Sequence, residues 1–222
     1  MHPIEVLERY WNHTSFRPLQ EEIITSVLNR EDTFALLPTG GGKSVCFQIP
    51  ALIQEGICIV VSPLIALMQD QVTALKELGL PAGYINSTQE EEEKRKVFEE
   101  IRDNDSYILY VSPERVQIDG FIDWFKTQDI KLIAIDEAHC LSQWGHDFRK
   151  DYSKLSILRK TRKDIPILAL TATATPLVIQ DIIDVLKLDD PDQHVYGFYR
   201  PNLYYQVNFC EDEHTKFEMI KQ

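Results

Sequence analysis

Two short stretches hold residue types that could do chemistry together. The first is Pro38-Thr39-Gly40-Gly41-Gly42-Lys43-Ser44, which follows the apolar run Phe34-Ala35-Leu36-Leu37. Glycines there let backbone N–H groups turn inward around phosphate oxygens, and a helix start behind them adds positive potential. Lys43 is placed to reach the β- and γ-phosphates of a nucleoside triphosphate, and the Ser44 hydroxyl to bind Mg²⁺. The strict pattern asks for glycine at position 37, where this chain has Leu37. On the loop alone, an exposed glycine turn with a solvated lysine therefore stays open.

The second stretch is Asp136-Glu137-Ala138-His139, directly after Leu132-Ile133-Ala134-Ile135. A carboxylate at the tip of a neighbouring strand is what a magnesium–triphosphate site needs. Asp136 suits that role through bound water, and Glu137 suits orienting and deprotonating an attacking water. The plain alternative is an acidic helix cap. His139 reads first as a packing or hydrogen-bonding residue. With Cys140 and His146 it makes no spacing of a common metal site.

Such groups need elements to hold them. Short apolar, β-branched runs at 33–37, 57–61, 83–85, 107–111, 132–135 and 167–170 predict strands. Between them, amphipathic stretches at 19–28, 43–53, 65–78, 90–102, 118–126, 152–159 and 176–186 predict helices. That alternation predicts an α/β domain with a mostly parallel central sheet and helices on both faces. The strands read as nearly continuous apolar runs, as expected of a sheet covered on both sides. Ligands then sit beyond the carboxyl ends of the strands, where both stretches lie.

The chain of 222 residues is 44% hydrophobic, enough for a full core without staples. Cys46, Cys58, Cys140 and Cys210 are scattered, which argues against disulfides or a Cys-x-x-Cys zinc site and fits a reducing, intracellular compartment. Neither a leader nor a membrane-length apolar run is visible. The net charge of −12 weighs against nonspecific nucleic-acid binding but leaves room for a local groove. From His194 onward, Tyr196, Phe198, Tyr199, Tyr204, Tyr205 and Phe209 crowd into what reads as an extended segment leaving the domain. Residues 216–220 read as an unfinished helix, so the chain is expected to be a piece of a longer protein. The expected division is a domain at 1–207 and a linker with the start of a second unit at 208–222.

Taken with the loop at 38–44, Asp136-Glu137-Ala138-His139 resembles the DExH-type superfamily 2 helicases. Further stretches bring the resemblance to the RecQ family: Cys140-Leu141-Ser142-Gln143-Trp144-Gly145-His146-Asp147-Phe148-Arg149, Ser15-Phe16-Arg17-Pro18-Leu19-Gln20, Ser62-Pro63-Leu64-Ile65-Ala66-Leu67-Met68-Gln69-Asp70-Gln71, Val111-Ser112-Pro113-Glu114-Arg115 and Leu170-Thr171-Ala172-Thr173-Ala174. The family's own loop carries methionine or leucine where Leu37 stands.

The resemblance implies a RecA-like P-loop domain of an ATP-dependent DNA helicase, moving 3′ to 5′, with ATP and Mg²⁺ as cofactors and single-stranded or forked DNA as partner. It implies that Gln20, Arg17 and His13 hold the adenine. Thr39, Gly40, Gly41, Gly42, Lys43 and Ser44 would hold the phosphates. Lys43, Asp136 and Glu137 would do the catalysis, with Ser44 and Asp136 at the metal. It places Ser62, Pro63, Ser112, His139, Trp144, His146, Phe148, Arg149, Thr171 and Thr173 at the DNA or at its coupling to hydrolysis. Trp144 could instead be ordinary core. A monomer without a membrane partner is expected. The family's second motor domain, with its arginine finger, would follow this segment, so this chain alone is expected to turn ATP over poorly.

Overall fold

The strands are β1 (Thr33–Leu36), β2 (Gly56–Val61), β3 (Ala82–Ile85), β4 (Ser106–Val111), β5 (Ile130–Ile135), β6 (Ile167–Thr171) and β7 (Asp192–Val195). They pair in the order β3-β4-β2-β5-β6-β1-β7, and every pairing is parallel. The computed structural model describes residues 1–118, 120–145, 147–197, 204, 206–207, 209–210 and 212–220. His146, Phe198, Tyr199, Tyr205 and the stretch Arg200-Pro201-Asn202-Leu203 lie outside the described residues.

Strand side chains point alternately to the two faces, and both faces are covered. Phe34, Ile59, Leu109, Ile133 and Ile167 point to one side, against α5 (Glu91–Arg102), α6 (Phe121–Thr127), α7 (Ser156–Thr161) and α8 (Pro176–Leu186). Ala35, Val60, Ile108, Leu132 and Leu168 point to the other, against α2 (Gln20–Leu28), α3 (Val45–Ile53) and α4 (Ile65–Glu77). Helix α1 (Pro3–Trp11) packs Val6 and Leu7 on Ile24 and Ile49, outside α2 and α3. The expected α/β sandwich is therefore present. No helix among the described residues is long and apolar enough to cross a membrane.

Three elements differ from expectation. Helix α1 was not expected, although Pro3 at its first turn and a capping box between His2 and Glu5 give it a start signal. Strand β7 falls where the sequence reads as the departing tail. Its residues are polar, but an edge strand needs only one neighbour, and β1 supplies the ladder. Ser26 Oγ donates to Asp192 Oδ2 at 2.7 Å and pins that edge to α2. The helix expected at 152–159 is instead a 3₁₀ turn at Tyr152–Lys154 followed by α7.

The amino ends of the central strands are tied by one buried ion pair. Arg159 on α7 grips both carboxylate oxygens of Asp32, just before β1. Asp32 also accepts N–H bonds from Ile167 (2.8 Å) and Asp189 (2.7 Å). Arg159 Nη1 donates to the carbonyls of Lys163 and Ile165 at 2.9 and 3.0 Å. One residue pair thus holds β1, β6, α7 and the approach to β7 together.

Candidate active site

The loop at 38–44 closes over the carboxyl end of β1. Gly40 and Gly42 take φ of +78° and +77°, a left-handed conformation that costs glycine little. A Cβ on Gly41 would lie 2.8 Å from the Pro38 carbonyl, and one on Gly42 would strike the Gln20 amide. Gln20 is buried and donates to the carbonyls of Gly41 (3.3 Å) and Gly42 (3.0 Å). Its Oε1 accepts from the Arg17 N–H at 2.9 Å, and the Arg17 guanidinium donates to the Gly40 carbonyl. These two residues therefore brace the phosphate loop itself. His13 is exposed just beyond α1, and Thr39 is exposed at the loop's outer edge. A cavity of about 570 Å³ lies against the 14–19 segment, but no residue of the glycine loop lines it.

Two strands away in the sheet, β5 delivers the carboxylates. The Asp136 N–H donates to the Val61 carbonyl at 2.9 Å, which continues the β2 ladder to the strand's last residue. Asp136 Oδ1 accepts from the Glu137 N–H at 2.9 Å. Glu137 sits at φ 48°, ψ 46°, a left-handed conformation that is costly for a residue with a Cβ. The kink turns its side chain toward the next element, where Glu137 Oε2 lies 3.3 Å from His139 Nδ1. His139 Nδ1 is also 2.9 Å from Thr171 Oγ1. Thr171 donates its hydroxyl proton to the Thr173 carbonyl at 3.1 Å. The histidine, the hydroxyl and the 171–173 turn thus form one hydrogen-bonded chain.

Lys43, Ser44, Asp136 and Glu137 line one cavity of about 310 Å³, with Gly40 and Gly42 at its rim. Burial, and then the neighbouring Glu137 charge, raise the Asp136 carboxyl to about 6. Lys43, His139 and the Glu137 N–H pull it the other way. The donor set of one hydroxyl and hard carboxylate oxygens suits Mg²⁺ over a softer metal.

Sequence reasoning overlooked part of this wall. Gln71 and Tyr110 line the cavity, and Gln48 bridges them at 3.2 and 3.3 Å. Gln71 stands inside the quoted 62–71 stretch, so a signal existed; Gln48 and Tyr110 read only as helix and strand. Tyr152 is wholly buried and donates to the Asp136 carbonyl at 2.9 Å. Nothing local marked it, because it lies sixteen residues downstream.

The remaining candidates divide. Ser62 and Ser112 follow β2 and β4 and are buried, each with a hydroxyl that has no partner among the described residues. The Pro63 carbonyl accepts from Arg149 Nη1 at 2.9 Å. Trp144 is 71% exposed and Phe148 37%, so Trp144 is no part of the core. A Cβ on Gly145 would lie 2.6 Å from the His139 carbonyl, so the loop passes close over the histidine. His139, Cys140 and Asp147 do converge within 4.8 Å. However, burial pushes the Cys140 thiol up to about 12, and Arg149 holds Asp147 at 3.1 Å, so neither is a ready ligand.

Comparison with known proteins fits this arrangement. The probable ATP-dependent DNA helicase RecS of Bacillus subtilis is 43% identical over 98% of this chain and 44% of its own length. The RecQ helicase of Haemophilus influenzae is 42% identical over 98% of the chain and 35% of its length, and that of Bacillus subtilis 47% over 91% and 34%. The chain thus spans under half the length of these relatives. The Hef helicase domain of Pyrococcus furiosus superposes with a TM-score of 0.63 at 20% identity, over 81% of this chain and 38% of that one. The Lhr helicase of Mycobacterium smegmatis, solved with ssDNA and AMP-PNP, also gives 0.63, at 16% identity, over 84% and 26%. These two likenesses speak for the fold alone. The family model for DEAD/DEAH box helicases matches residues 17–182, from the arginine that braces the glycine loop to the helix behind Thr171, and by that match the chain belongs to the DEAD/DEAH box helicase family.

Proposed function

We propose that this chain is the ATP-binding motor domain of a RecQ-type, 3′-to-5′ ATP-dependent DNA helicase. The observation that carries the reading is the shared cavity of Lys43, Ser44, Asp136 and Glu137. Relatives named as ATP-dependent DNA helicases align over nearly all of the chain. Residues 1–207 form the motor domain in this reading, and 208–222 lead into a second one.

Lys43 neutralises developing charge on the triphosphate, and the loop N–H groups orient it. Ser44 and Asp136 would hold Mg²⁺, which would supply positive charge against the charge that develops on the triphosphate. Glu137 positions the attacking water and takes its proton. His139, bonded to Thr171 and close to Glu137, relays the state of the cleft toward the 171–173 segment. Trp144 and Phe148 present rings to single-stranded bases beside the Arg149 cation. Gln20 and Arg17, which touch the loop, and His13 would serve the adenine.

The test is ATP hydrolysis by the full-length protein that carries this segment, in the presence of single-stranded DNA or RNA of the same sequence. Stimulation by DNA well above that by RNA is expected. Equal stimulation by both would replace the DNA motor with an RNA remodeller, and hydrolysis indifferent to either would remove the motor reading.

A further inference from the structure

A second concave site lies on the opposite face of the sheet from the glycine loop's helix, between α5 and α6. Its volume is about 520 Å³. The floor is aromatic: Phe98 and Trp124 meet edge to face at 5.2 Å and 65°, and Phe121 and Trp124 at 5.6 Å and 46°. Four cations line it: Lys94, Arg95, Arg102 and Arg115. Lys94 is paired with Glu91 at 2.7 Å, and Arg95 reaches Glu99 at 3.7 Å. Among the described residues Arg102 makes no ion pair and no side-chain hydrogen bond; Arg115 Nε is buried without a partner there, and, after the Lys94 bond, the Arg115 charge helps to lower the Glu91 carboxyl, which also lines the groove. In a chain of net charge −12, two guanidinium groups with no ion pair among the described residues, beside an apolar hollow, are a local inversion of the surface.

We propose that this groove binds a short acidic peptide segment of a partner protein, carrying one bulky apolar anchor. The anchor fills the hollow over Trp124, and the flanking carboxylates pair with Arg102 and Arg115. Guanidinium forks suit carboxylates in two-point geometry, and an aromatic pocket ringed by Arg is the usual make-up of an interface hot spot. The groove favours peptide over nucleic acid for two reasons. The rings meet edge to face or tilted and wall a pocket, instead of offering parallel faces on which successive bases stack. Glu92, Glu93, Glu99 and Asp123 stand on the same two helices and repel a continuous polyanion. A peptide presents only a few charges and can place them at Arg102 and Arg115. The site is separate from the cavity of Lys43 and Asp136, so it stands or falls independently of the motor reading.

The test uses a fluorescein-labelled decapeptide with four acidic residues around one phenylalanine, and fluorescence anisotropy with the protein. Saturable binding is expected. Replacing the phenylalanine by alanine, or the acids by their amides, should each weaken it about tenfold. Arg102→Glu, at an exposed position, should do the same while leaving Mg-ATP affinity unchanged. Trp124→Ala should also abolish binding. If that variant unfolds, Arg102→Glu decides alone. Binding unaffected by Arg102→Glu, the absence of saturable binding, or displacement of the peptide by a ten-residue oligothymidylate that itself needs Arg102 would overturn the proposal.

Discussion

The two ends of the sheet are built on opposite terms. At the amino ends of β1 and β6, Asp32 and Arg159 are buried and bonded to each other, and backbone groups from 163 to 189 take nearly all their remaining capacity. Only Arg159 Nε lacks a partner there. At the carboxyl ends, Glu137 is left-handed, Asp136 is raised to about 6, and the Ser62 and Ser112 hydroxyls are buried without partners among the described residues. The amino-end pair is buried and Asp136 and Glu137 are half-buried, but the larger difference lies in how fully the polar groups are satisfied. One end is organised for stability, while the other holds charge and conformation at a cost that a charged ligand would offset.

That contrast can be broken in order of effect. Lys43→Ala should cut ATP hydrolysis by about a thousandfold while leaving urea unfolding almost unchanged. Turnover at the parent rate would mean that the loop is misassigned. Glu137→Gln should keep nucleotide affinity and slow hydrolysis by about 10²–10⁴-fold; if affinity collapses with turnover, Glu137 is structural.

Asp32→Asn tests the other end. It leaves Arg159 buried without a counter-charge and should cost about 3–5 kcal/mol in urea unfolding. The folded fraction should still bind nucleotide at its parental affinity. Lost affinity there would erase the distinction between the two ends.

Asp136→Asn should act with the opposite sign on stability. The native carboxyl holds its proton more tightly than an unfolded aspartate, whose usual value is 3.8. Its favourable contribution is therefore fully present below about pH 4 and is lost as pH rises through about 6. The amide should stabilise the chain without nucleotide by about 1–2 kcal/mol at pH 7.5, allowing for partial solvent access, and by little at pH 4. Activity should vanish. A destabilised variant at pH 7.5 would show that Asp136 belongs with the satisfied end.

The smallest effect is expected from Tyr152→Phe. It removes one hydrogen bond to the Asp136 carbonyl and should cost about 1 kcal/mol in unfolding, with a modest fall in hydrolysis. A loss of hydrolysis with no change in stability would make the hydroxyl part of the chemistry.

Much of this was legible in the chain itself. Short, nearly continuous apolar runs announced six of the seven strands, because both faces of the sheet must be buried. The glycine loop and the Asp136–His139 stretch were legible because phosphate chemistry restricts which residues can stand close together in sequence. Strand β7 was not legible, since an edge strand can be polar when its neighbour supplies the ladder. Nor was α1, whose cap signals lay in a stretch of only nine residues.

The sequence by itself determined the fold class, and it marked the glycine loop and the acidic pair that the structure brings to one cavity. Those depend on local pattern and on residue type. Only the tertiary structure decided that Gln20 and Arg17 brace the glycine loop, that Tyr152 holds the Asp136 carbonyl, that Trp144 is exposed, and that Asp32 meets Arg159. Each of these is a contact or an exposure set by how distant segments pack, and no spacing along the chain encodes it.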